Sequence, residues 1–212
     1  MITVKTFVFN DIQVNTYLLI DESNECIIVD PACYYEEEKE ILARYIEDKK
    51  LKPVAVVITH GHFDHIPGNR FVTTRFNIGI MVHPDSLNLL KLATEYGSVM
   101  GWQIEQQPLP ARILNDGDEI QFGKSVLKVL ATPGHCAGSI CLLNEESKFV
   151  ITGDVLFQES IGRTDLPTGD YDTLMESIQN KLMVLDDNIT VYPGHGPSTS
   201  IGHEKKFNPY LS

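Results

Sequence analysis

Residues 59–65 form a short run in which three histidines and one aspartate follow an apolar segment. The run is Thr-His-Gly-His-Phe-Asp-His, and it comes directly after Pro53-Val-Ala-Val-Val-Ile58. Its metal-capable side chains are His60, His62, Asp64 and His65. Imidazole and carboxylate together suit zinc or iron, whereas magnesium and calcium prefer oxygen ligands alone. The run therefore indicates a transition-metal site rather than a polar loop that only caps a helix.

The spacing within this run favours two metal ions over one. His60 and His62 lie two positions apart and would share a face if the preceding strand continued, whereas Asp64 and His65 are adjacent and must diverge. One ion cannot easily use all four side chains. We expect the His60 and His62 pair to serve one ion and the Asp64 and His65 pair to serve a neighbouring one.

Three further candidate ligands follow apolar strands in the second half of the chain. His135 lies in Ala-Thr-Pro-Gly-His and His195 lies in Tyr-Pro-Gly-His-Gly, so each follows a Pro-Gly pair. Asp154 ends Phe-Val-Ile-Thr-Gly-Asp. A lone aspartate after a strand is more often a turn or helix cap, but a two-ion site needs a bridging carboxylate, and we expect Asp154 to supply it. Strand ends are where functional side chains collect in layered α/β folds.

Composition restricts the class of protein. The chain of 212 residues has no Pro-, Gly- or Ser-rich linker and no block of charge, so we expect one domain over residues 1–212. The net charge of -12 disfavours nucleic acid, whose phosphates require clustered Lys and Arg. Neither a signal peptide nor a membrane-spanning run is apparent, which predicts a cytoplasmic protein without a membrane partner. The four cysteines form no Cys-x-x-Cys pair and are expected to be reduced core thiols.

Hydrophobic spacing predicts the elements that must position the candidate ligands. The first half is expected to contain strands at 3–9, 14–20, 26–29, 54–58 and 78–82 and helices at 35–49, 69–76 and from Pro84 to about Glu95. The second half is expected to contain strands at 119–122, 125–131, 139–143, 149–152 and 190–192 and a helix at 171–185. This order predicts an α/β fold, a four-layer αβ/βα sandwich of two mixed sheets packed face to face with helices outside.

The segment 97–110 and the two remaining histidines have less specific patterns. Segment 97–110 interrupts the helical spacing and contains the only tryptophan, Trp102, so it is either a mobile flap over a pocket or an ordinary connection. His83 precedes a proline at a strand end, and His203 lies in a polar tail. Both are expected to be structural or surface residues.

Taken together, the candidate ligands resemble those of the metallo-β-lactamase-fold hydrolases. The resemblance rests on His60-x-His62-x-Asp64-His65, followed in order by His135, Asp154 and His195. It extends over the chain from Asn15-Thr-Tyr-Leu-Leu19 and Asp30-Pro31 to the final helix. Short single-domain proteins similar to glyoxalase II, the hydroxyacylglutathione hydrolases, are the most similar, through Gly162-Arg-Thr-Asp165 and Pro193-Gly-His-Gly-Pro197.

The resemblance implies a ligand set and a reaction. It implies seven ligands for two divalent ions: His60, His62 and His135 for the first, Asp64, His65 and His195 for the second, with Asp154 bridging. Zinc is the expected metal, with iron or manganese as alternatives, and Asp30 would orient the histidine run. Asp64 and Asp154 would be the catalytic carboxylates. The implied reaction is hydrolysis of a small thioester of the S-acyl-glutathione type, or a related acyl ester, by a metal-bound hydroxide.

Other activities of the same fold are alternatives. An iron persulfide dioxygenase would use two histidines and an aspartate on one ion and also carries a Gly-Arg-Thr-Asp segment. A non-catalytic module is expected to lose ligands, a nuclease to have an added substrate-clamping domain, and a resistance β-lactamase to have an export signal. Cys136 stands where many relatives have threonine and is expected to be a packed replacement. Arg163 could bind a substrate carboxylate or pair with Asp165.

Overall fold

The computed structural model describes residues 1–211 and contains two compact units. The first unit is Met1–Leu114 with Gln121–Val126, and the second is Asn115–Ile120 with the described residues from Leu127 onward. Ser212, which the expected single domain includes, lies outside the described residues, and that domain assignment stays a prediction. The described residues form two six-stranded sheets and a separate two-stranded one. The prediction of an α/β fold with two mixed sheets and helices is confirmed.

The first sheet combines antiparallel and parallel strands. Its strands are β1 (Thr3–Phe9), β2 (Val14–Ile20), β3 (Glu25–Val29), β4 (Lys52–Val57), β5 (Ile80–Val82) and β6 (Pro110–Ile113). They lie side by side in chain order. The strands β1 to β3 pair in antiparallel fashion, whereas β3 to β6 are parallel. The accompanying helices are α1 (Glu36–Asp48), α2 (Asn69–Phe76) and α3 (Leu87–Val99), with a 3₁₀ turn at Pro84–Ser86 before α3.

The amphipathic pattern of α1 and the apolar composition of β4 explain why these elements form. Helix α1 buries Leu42, Ala43 and Ile46, which recur at helical spacing on one face. Its start is stabilised by Glu38, whose carboxylate accepts a hydrogen bond from the backbone nitrogen of Tyr35. The second half of β4 is buried throughout, as expected for a parallel strand covered on both faces.

The second sheet is built from strands of the second half of the chain. The strands of this half are β7 (Glu119–Phe122), β8 (Ser125–Ala131), β9 (Ile140–Asn144), β10 (Phe149–Gly153), β11 (Leu156–Phe157), β12 (Ser160–Ile161), β13 (Thr190–Pro193) and β14 (Thr199–Ser200). The order in the second sheet is β14-β13-β10-β9-β8-β7. The pair β10 and β13 is parallel, while β8 with β9, β9 with β10 and β13 with β14 are antiparallel. Strands β11 and β12 form a small separate hairpin. The helices are α4 (Tyr171–Ser177), continued by a π turn at Ile178–Leu182, and α5 (Ile201–Phe207). No helix within residues 1–211 is long and apolar enough to cross a membrane.

Strand β6 and helix α5 are among the elements that the sequence-based expectations lack. Strand β6 was not predicted, because it is short, opens with a proline and has only partly buried or exposed residues, as edge strands often do. The polar tail around His203 forms α5, whose N-cap Ser200 accepts a hydrogen bond from the His203 backbone nitrogen. Helix α5 is further fixed by Glu204, a fully buried carboxylate that accepts hydrogen bonds from Thr199 and Asn208.

A buried carboxylate, Asp21, joins the turn after β2 to the hairpin of β7 and β8. Its oxygens accept hydrogen bonds from the Ser125 hydroxyl at 2.5 Å and from the Ser23 backbone nitrogen at 2.8 Å. Burial raises the pKa of Asp21, but the hydrogen bonds from Ser125 and Ser23 outweigh it and hold this pKa well below its usual value of 3.8. The carboxylate therefore contributes stability only in its ionised form.

We expect Asp21→Asn to lower the free energy of unfolding by about 1–3 kcal/mol at pH 7, the usual cost of a lost buried hydrogen bond to a charged group. The folded pKa lies below the unfolded one, so the contribution is present above about pH 4 and is lost as the pH falls further. Urea unfolding of both proteins at pH 7 and pH 3 should show the difference shrinking in acid. The exposed control Asp48→Asn should change stability by less than about 0.5 kcal/mol. An Asp21→Asn effect that is the same at both pH values would contradict this account.

Candidate metal centre

Parallel strands β3 and β4 bring Asp30 and the histidine run to one edge of the first sheet. Val29 pairs with Val57, and the Asp30 backbone nitrogen donates to the Val57 carbonyl at 3.1 Å. Both segments follow the carboxyl ends of their strands, which meet at the same edge. Asp30 has a left-handed backbone, with φ +46°, which is uncommon for a residue other than glycine. The chain thus turns sharply at Asp30 and directs its carboxylate toward the loop after β4.

The Asp30 carboxylate fixes the orientation of His65. Its Oδ1 accepts from the Thr59 backbone nitrogen at 2.8 Å, and its Oδ2 lies 3.0 Å from His65 Nδ1. Because an ionised carboxylate only accepts hydrogen bonds, Nδ1 of His65 must carry the proton. The Nε2 atom of His65 therefore keeps the lone pair that a metal ligand requires.

Thr59 extends the same arrangement to His60, a role that the sequence analysis missed. The Thr59 hydroxyl donates its single proton to Asp30 Oδ2 and lies 3.0 Å from His60 Nδ1. Since this proton is used, the Thr59 hydroxyl must accept a hydrogen bond from His60 Nδ1. The free lone pair of the His60 ring is then on Nε2. An Asp30 oxygen also lies within 4.8 Å of ligand nitrogens of His60 and His65. The Asp30 carboxylate is, however, already occupied by hydrogen bonds from the Thr59 backbone nitrogen, the Thr59 hydroxyl and His65 Nδ1. Asp30 thus suits the orienting role expected for it better than that of a ligand.

The four side chains of the histidine run cluster together. The His60 ring lies 4.7 Å from that of His62 and 4.2 Å from that of His65, centroid to centroid. The expectation that Asp64 and His65 diverge is wrong, because Asp64 Oδ2 lies only 3.7 Å from His65 Nε2. The backbone bends here, with His65 N donating to the His62 carbonyl at 3.2 Å, so the pair converges instead of alternating as in a strand. This convergence supports one shared ion for Asp64 and His65.

Parallel strands also place two candidates in the second unit. Gly153 of β10 pairs with Pro193 of β13, and Gly194 N donates to the Gly153 carbonyl at 2.7 Å. Asp154 and His195 directly follow these paired ends. Asp154 Oδ2 lies 3.5 Å from His195 Nε2 and 3.7 Å from His135 Nε2. One carboxylate oxygen therefore faces two histidines.

These nitrogen to oxygen separations fit ligands of a common ion. They are long for hydrogen bonds. Two ligands bound to one tetrahedral zinc at its usual bond lengths lie about 3.3–3.6 Å apart. The distances around Asp154 suit two arrangements: a carboxylate that is shared between two ions, or Asp154, His135 and His195 all bound to one ion. The resemblance favours the shared carboxylate. The donor set of imidazole and carboxylate in both units fits the implied metal.

The Gly-Arg-Thr-Asp segment contacts His135 through its backbone. The Arg163 carbonyl lies 2.8 Å from His135 Nδ1, so this nitrogen donates and Nε2 retains its lone pair. The Arg163 guanidinium pairs with Asp165 through two hydrogen bonds of 2.7 Å. Pairing with Asp165 was one of the two expectations for this side chain. That pairing lowers the pKa of Asp165 to about 2. The segment orients a candidate ligand without using a side chain, a role that residue types alone do not reveal.

Gly162 permits the close approach that this carbonyl contact needs. A Cβ atom at position 162 would lie 2.0 Å from the Asp154 carbonyl oxygen and 3.3 Å from His135 Cβ. We expect Gly162→Ala to displace Arg163 and to lower metal affinity by about 10- to 100-fold, the usual effect of losing a hydrogen bond that orients a metal-binding histidine. Competition with a chromophoric chelator would measure the change.

A control for this substitution separates the contact from backbone strain. Gly117 has φ +82°, and a Cβ there would meet no described atom within 4 Å. Gly117→Ala should therefore lower stability through strain while leaving metal affinity unchanged. Equal metal affinities of wild type and Gly162→Ala would show that the Arg163 carbonyl is not needed to orient His135 as a metal ligand.

Aromatic contacts fix segment 97–110 to the histidine run. The Trp102 ring lies 4.6 Å from that of Tyr34 and 5.3 Å from that of Phe63, which stands between His62 and Asp64. The Gln103 backbone nitrogen donates to the Tyr34 hydroxyl at 3.0 Å. Nearby, Ile104 is only 3% exposed. This packing favours an ordinary, ordered connection over a mobile flap.

The cysteines and the other two histidines have structural surroundings. All four cysteines are buried and free of disulfides, and burial raises the pKa of Cys33 and Cys141 to about 12. Cys136 packs with its Sγ 3.2 Å from the Ser139 hydroxyl, as a replacement for threonine would. His83 caps the 3₁₀ turn at Pro84–Ser86. His203 Nε2 lies 3.0 Å from a carboxylate oxygen of Glu159, and the His203 ring lies 4.9 Å from that of Phe207, centroid to centroid.

Sequence comparisons place relatives along nearly the whole chain. A sequence model of the Metallo-beta-lactamase superfamily matches residues 10–195. The probable metallo-hydrolase YqgX of Bacillus subtilis is 41% identical over 202 residues, which cover 95% of this chain and 93% of YqgX. The hydroxyacylglutathione hydrolase GloC of Haemophilus influenzae is 36% identical over 202 residues, covering 94% of this chain and 93% of GloC.

Solved structures give the same relationship. The B3 metallo-beta-lactamase BLEG-1 is 33% identical with a TM-score of 0.91, over 99% of this chain and 100% of that one. TTHA1623 in a di-iron-bound form is 33% identical with a TM-score of 0.88, over 98% and 100%. ETHE1 from Myxococcus xanthus is 28% identical with a TM-score of 0.80, over 99% and 84%. These matches confirm the expected fold, and the chain belongs to the metallo-beta-lactamase superfamily.

Proposed function

We propose that this protein is a hydrolase that uses two divalent ions to cleave a small thioester of the S-acyl-glutathione type or a related acyl ester. The proposed ligands are His60, His62 and His135 for one ion, Asp64, His65 and His195 for the other, and Asp154 for both. The observation that carries the proposal is the position of Asp154 Oδ2, within 3.7 Å of two histidine nitrogens. The relative GloC, a hydroxyacylglutathione hydrolase, supports the substrate class.

The charge of this ligand set suits hydrolysis. Asp64 and Asp154 would contribute -2 against +4 from two divalent ions, so the centre would keep a net charge of about +2. When bound, such ions polarise a carbonyl and lower the pKa of a coordinated water toward neutrality. The protein supplies rigidity, because the Thr59 hydroxyl, the Asp30 carboxylate and the Arg163 carbonyl hold the rings of His60, His65 and His135, respectively, in the required tautomer.

Burial separates the ligands into two groups in a manner that suits a substrate site. His60 and His65 are at most 1% exposed, so water reaches them poorly. Among the proposed histidine ligands, His62 in the first unit and His195 in the second are partly exposed. We infer that, of the proposed histidine ligands, His62 and His195 are the ones that a substrate could reach. A cytoplasmic location is proposed as well, since the four thiols are free of disulfides.

Metal analysis combined with a substrate screen tests the proposal. Protein purified without added metal, then loaded with zinc, iron or manganese, should bind about two equivalents. The loaded protein should hydrolyse S-lactoylglutathione or another thioester, and the chelator-treated protein should regain this activity when metal is returned. A β-lactam belongs in the same panel, because BLEG-1 is named as a β-lactamase. Protein that holds two equivalents and leaves every thioester and ester intact would refute the proposed reaction.

A single-iron persulfide dioxygenase is the second candidate function. The structural likeness to ETHE1 and the Gly-Arg-Thr-Asp segment at 162–165 favour it. Under this alternative the protein would hold one iron, and glutathione persulfide would cause oxygen uptake. Two bound ions and no oxygen uptake would exclude it.

A further inference from the structure

Asn10, in the turn between β1 and β2, makes a direct hydrogen bond to the histidine run. It is 8% exposed and has a left-handed backbone, with φ +58°. Its Nδ2 donates to the carbonyl of Asp64 at 3.0 Å and to that of Ala32 at 3.0 Å, and its Oδ1 accepts from the Ile12 backbone nitrogen. Both hydrogens and the oxygen of this one amide are therefore engaged by backbone groups of three different loops.

No other common side chain fits this position equally well. Aspartate could accept from Ile12 but has no hydrogen to donate to the two carbonyls. Glycine would adopt the same left-handed backbone but has no amide. Asparagine tolerates the left-handed region and supplies both donors. The residue type is thus explained by the contacts to Ala32 and Asp64 as well as by the turn.

Glu38 of α1 keeps the turn that carries Asn10 in place. One carboxylate oxygen of Glu38 accepts from the Asn10 backbone nitrogen at 2.6 Å. The other oxygen accepts from the backbone nitrogens of Tyr34 and Tyr35 at 2.8 and 3.1 Å. Asn10 is therefore attached to the helix and cannot simply follow a displacement of the Asp64 loop.

From these contacts we propose that Asn10 is a positioning residue for Asp64. Through Asp64, Asn10 acts on one metal position and not on the other. This inference rests on the proposed function, in which Asp64 is a ligand of the second ion. Asp64 lies outside any helix or strand, and the Asn10 amide donates directly to its main-chain carbonyl. The His60 ring of the first ion is instead oriented by Thr59. Loss of the Asn10 amide should hence affect the second ion selectively.

Zinc titrations of Asn10→Gly and Asn24→Gly test the inference. Both asparagines occupy left-handed turns, at φ +58° and +66°, but Asn24 is exposed and lies in the turn between β2 and β3. Wild type and Asn24→Gly should each bind two equivalents with the same affinities. In Asn10→Gly one zinc should bind as in wild type, while the affinity for the other falls by about 10- to 100-fold. Asn10→Asp should give the same selective loss, because it keeps the turn acceptor but lacks the donors.

A double-mutant cycle identifies the affected ion. Combining Asn10→Gly with Asp64→Ala should weaken zinc binding no further than Asp64→Ala alone, whereas combining it with His62→Ala should add to the loss. Circular dichroism and thermal unfolding of each variant without metal report on folding.

Three results would overturn the inference. Unchanged binding of both ions in Asn10→Gly would do so while leaving the proposed function intact. Equal weakening of both ions, together with a lower unfolding temperature, would reduce Asn10 to a general structural role. A wild-type protein that binds only one zinc would refute the two-ion function and this inference with it.

Discussion

Asp154→Asn should lose at least about 10³-fold in hydrolytic rate and should no longer hold two metal ions. The substitution keeps the size of the side chain but removes the negative charge that lies 3.5 Å from His195 Nε2 and 3.7 Å from His135 Nε2. Two cations at one centre would then repel each other with only Asp64 to balance them. Metal content per chain and the rate with the best thioester from the screen are the two measurements.

The exposed residue Asp186 offers a matched control for this charge change. Asp186→Asn removes the same charge from the same unit, and it should bind two ions and turn over substrate as wild type does. If Asp154→Asn retained two ions at wild-type affinity, Asp154 would not be a shared ligand. Retention of a single tightly bound ion with full activity would instead favour a one-metal mechanism.

Asp30→Asn should weaken metal binding by about 10- to 100-fold, although Asp30 itself is not a proposed ligand. Asparagine tolerates the left-handed backbone of position 30 and can still accept from the Thr59 nitrogen through its oxygen. It cannot serve as a full acceptor for both His65 Nδ1 and the Thr59 hydroxyl, so both histidine rings would lose their fixed tautomer. Chelator competition measures the loss.

Comparison with Asp30→Ala separates orientation from stability. Alanine would leave buried donors of Thr59 and His65 without an acceptor, at about 1–3 kcal/mol for each group, and would also strain the left-handed backbone. We expect a large fall in the free energy of unfolding for Asp30→Ala and a much smaller one for Asp30→Asn. If both variants lost stability equally and neither lost metal affinity, Asp30 would have only a structural role.

The sequence predicted the elements and the candidate ligands better than the contacts that hold them. Helix α2 and strands β1 and β2 have the predicted bounds, because turn residues or a short apolar pattern delimit them locally. The candidate ligands were found because each follows an apolar strand, and strand ends can be located from local pattern. Their assignment to particular ions stays a prediction.

The supporting contacts could not be predicted because they join distant parts of the chain. Asn10 and Asp64 are 54 positions apart, and Thr59 acts on Asp30 from 29 positions away. The Arg163 carbonyl has no signal in residue type at all, since any residue there has a carbonyl. The convergence of Asp64 and His65 was missed because it depends on a backbone bend, which strand-like alternation does not describe.

The contact between Trp102 and Phe63 gives this protein a built-in optical probe. Trp102 is the only tryptophan, so indole emission arises from one place in the chain. Its ring meets the side chain that separates His62 from Asp64, at a centroid distance of 5.3 Å. A rearrangement of the histidine run would alter the surroundings of that indole, and metal titrations could be followed by fluorescence in unlabelled protein at micromolar concentration.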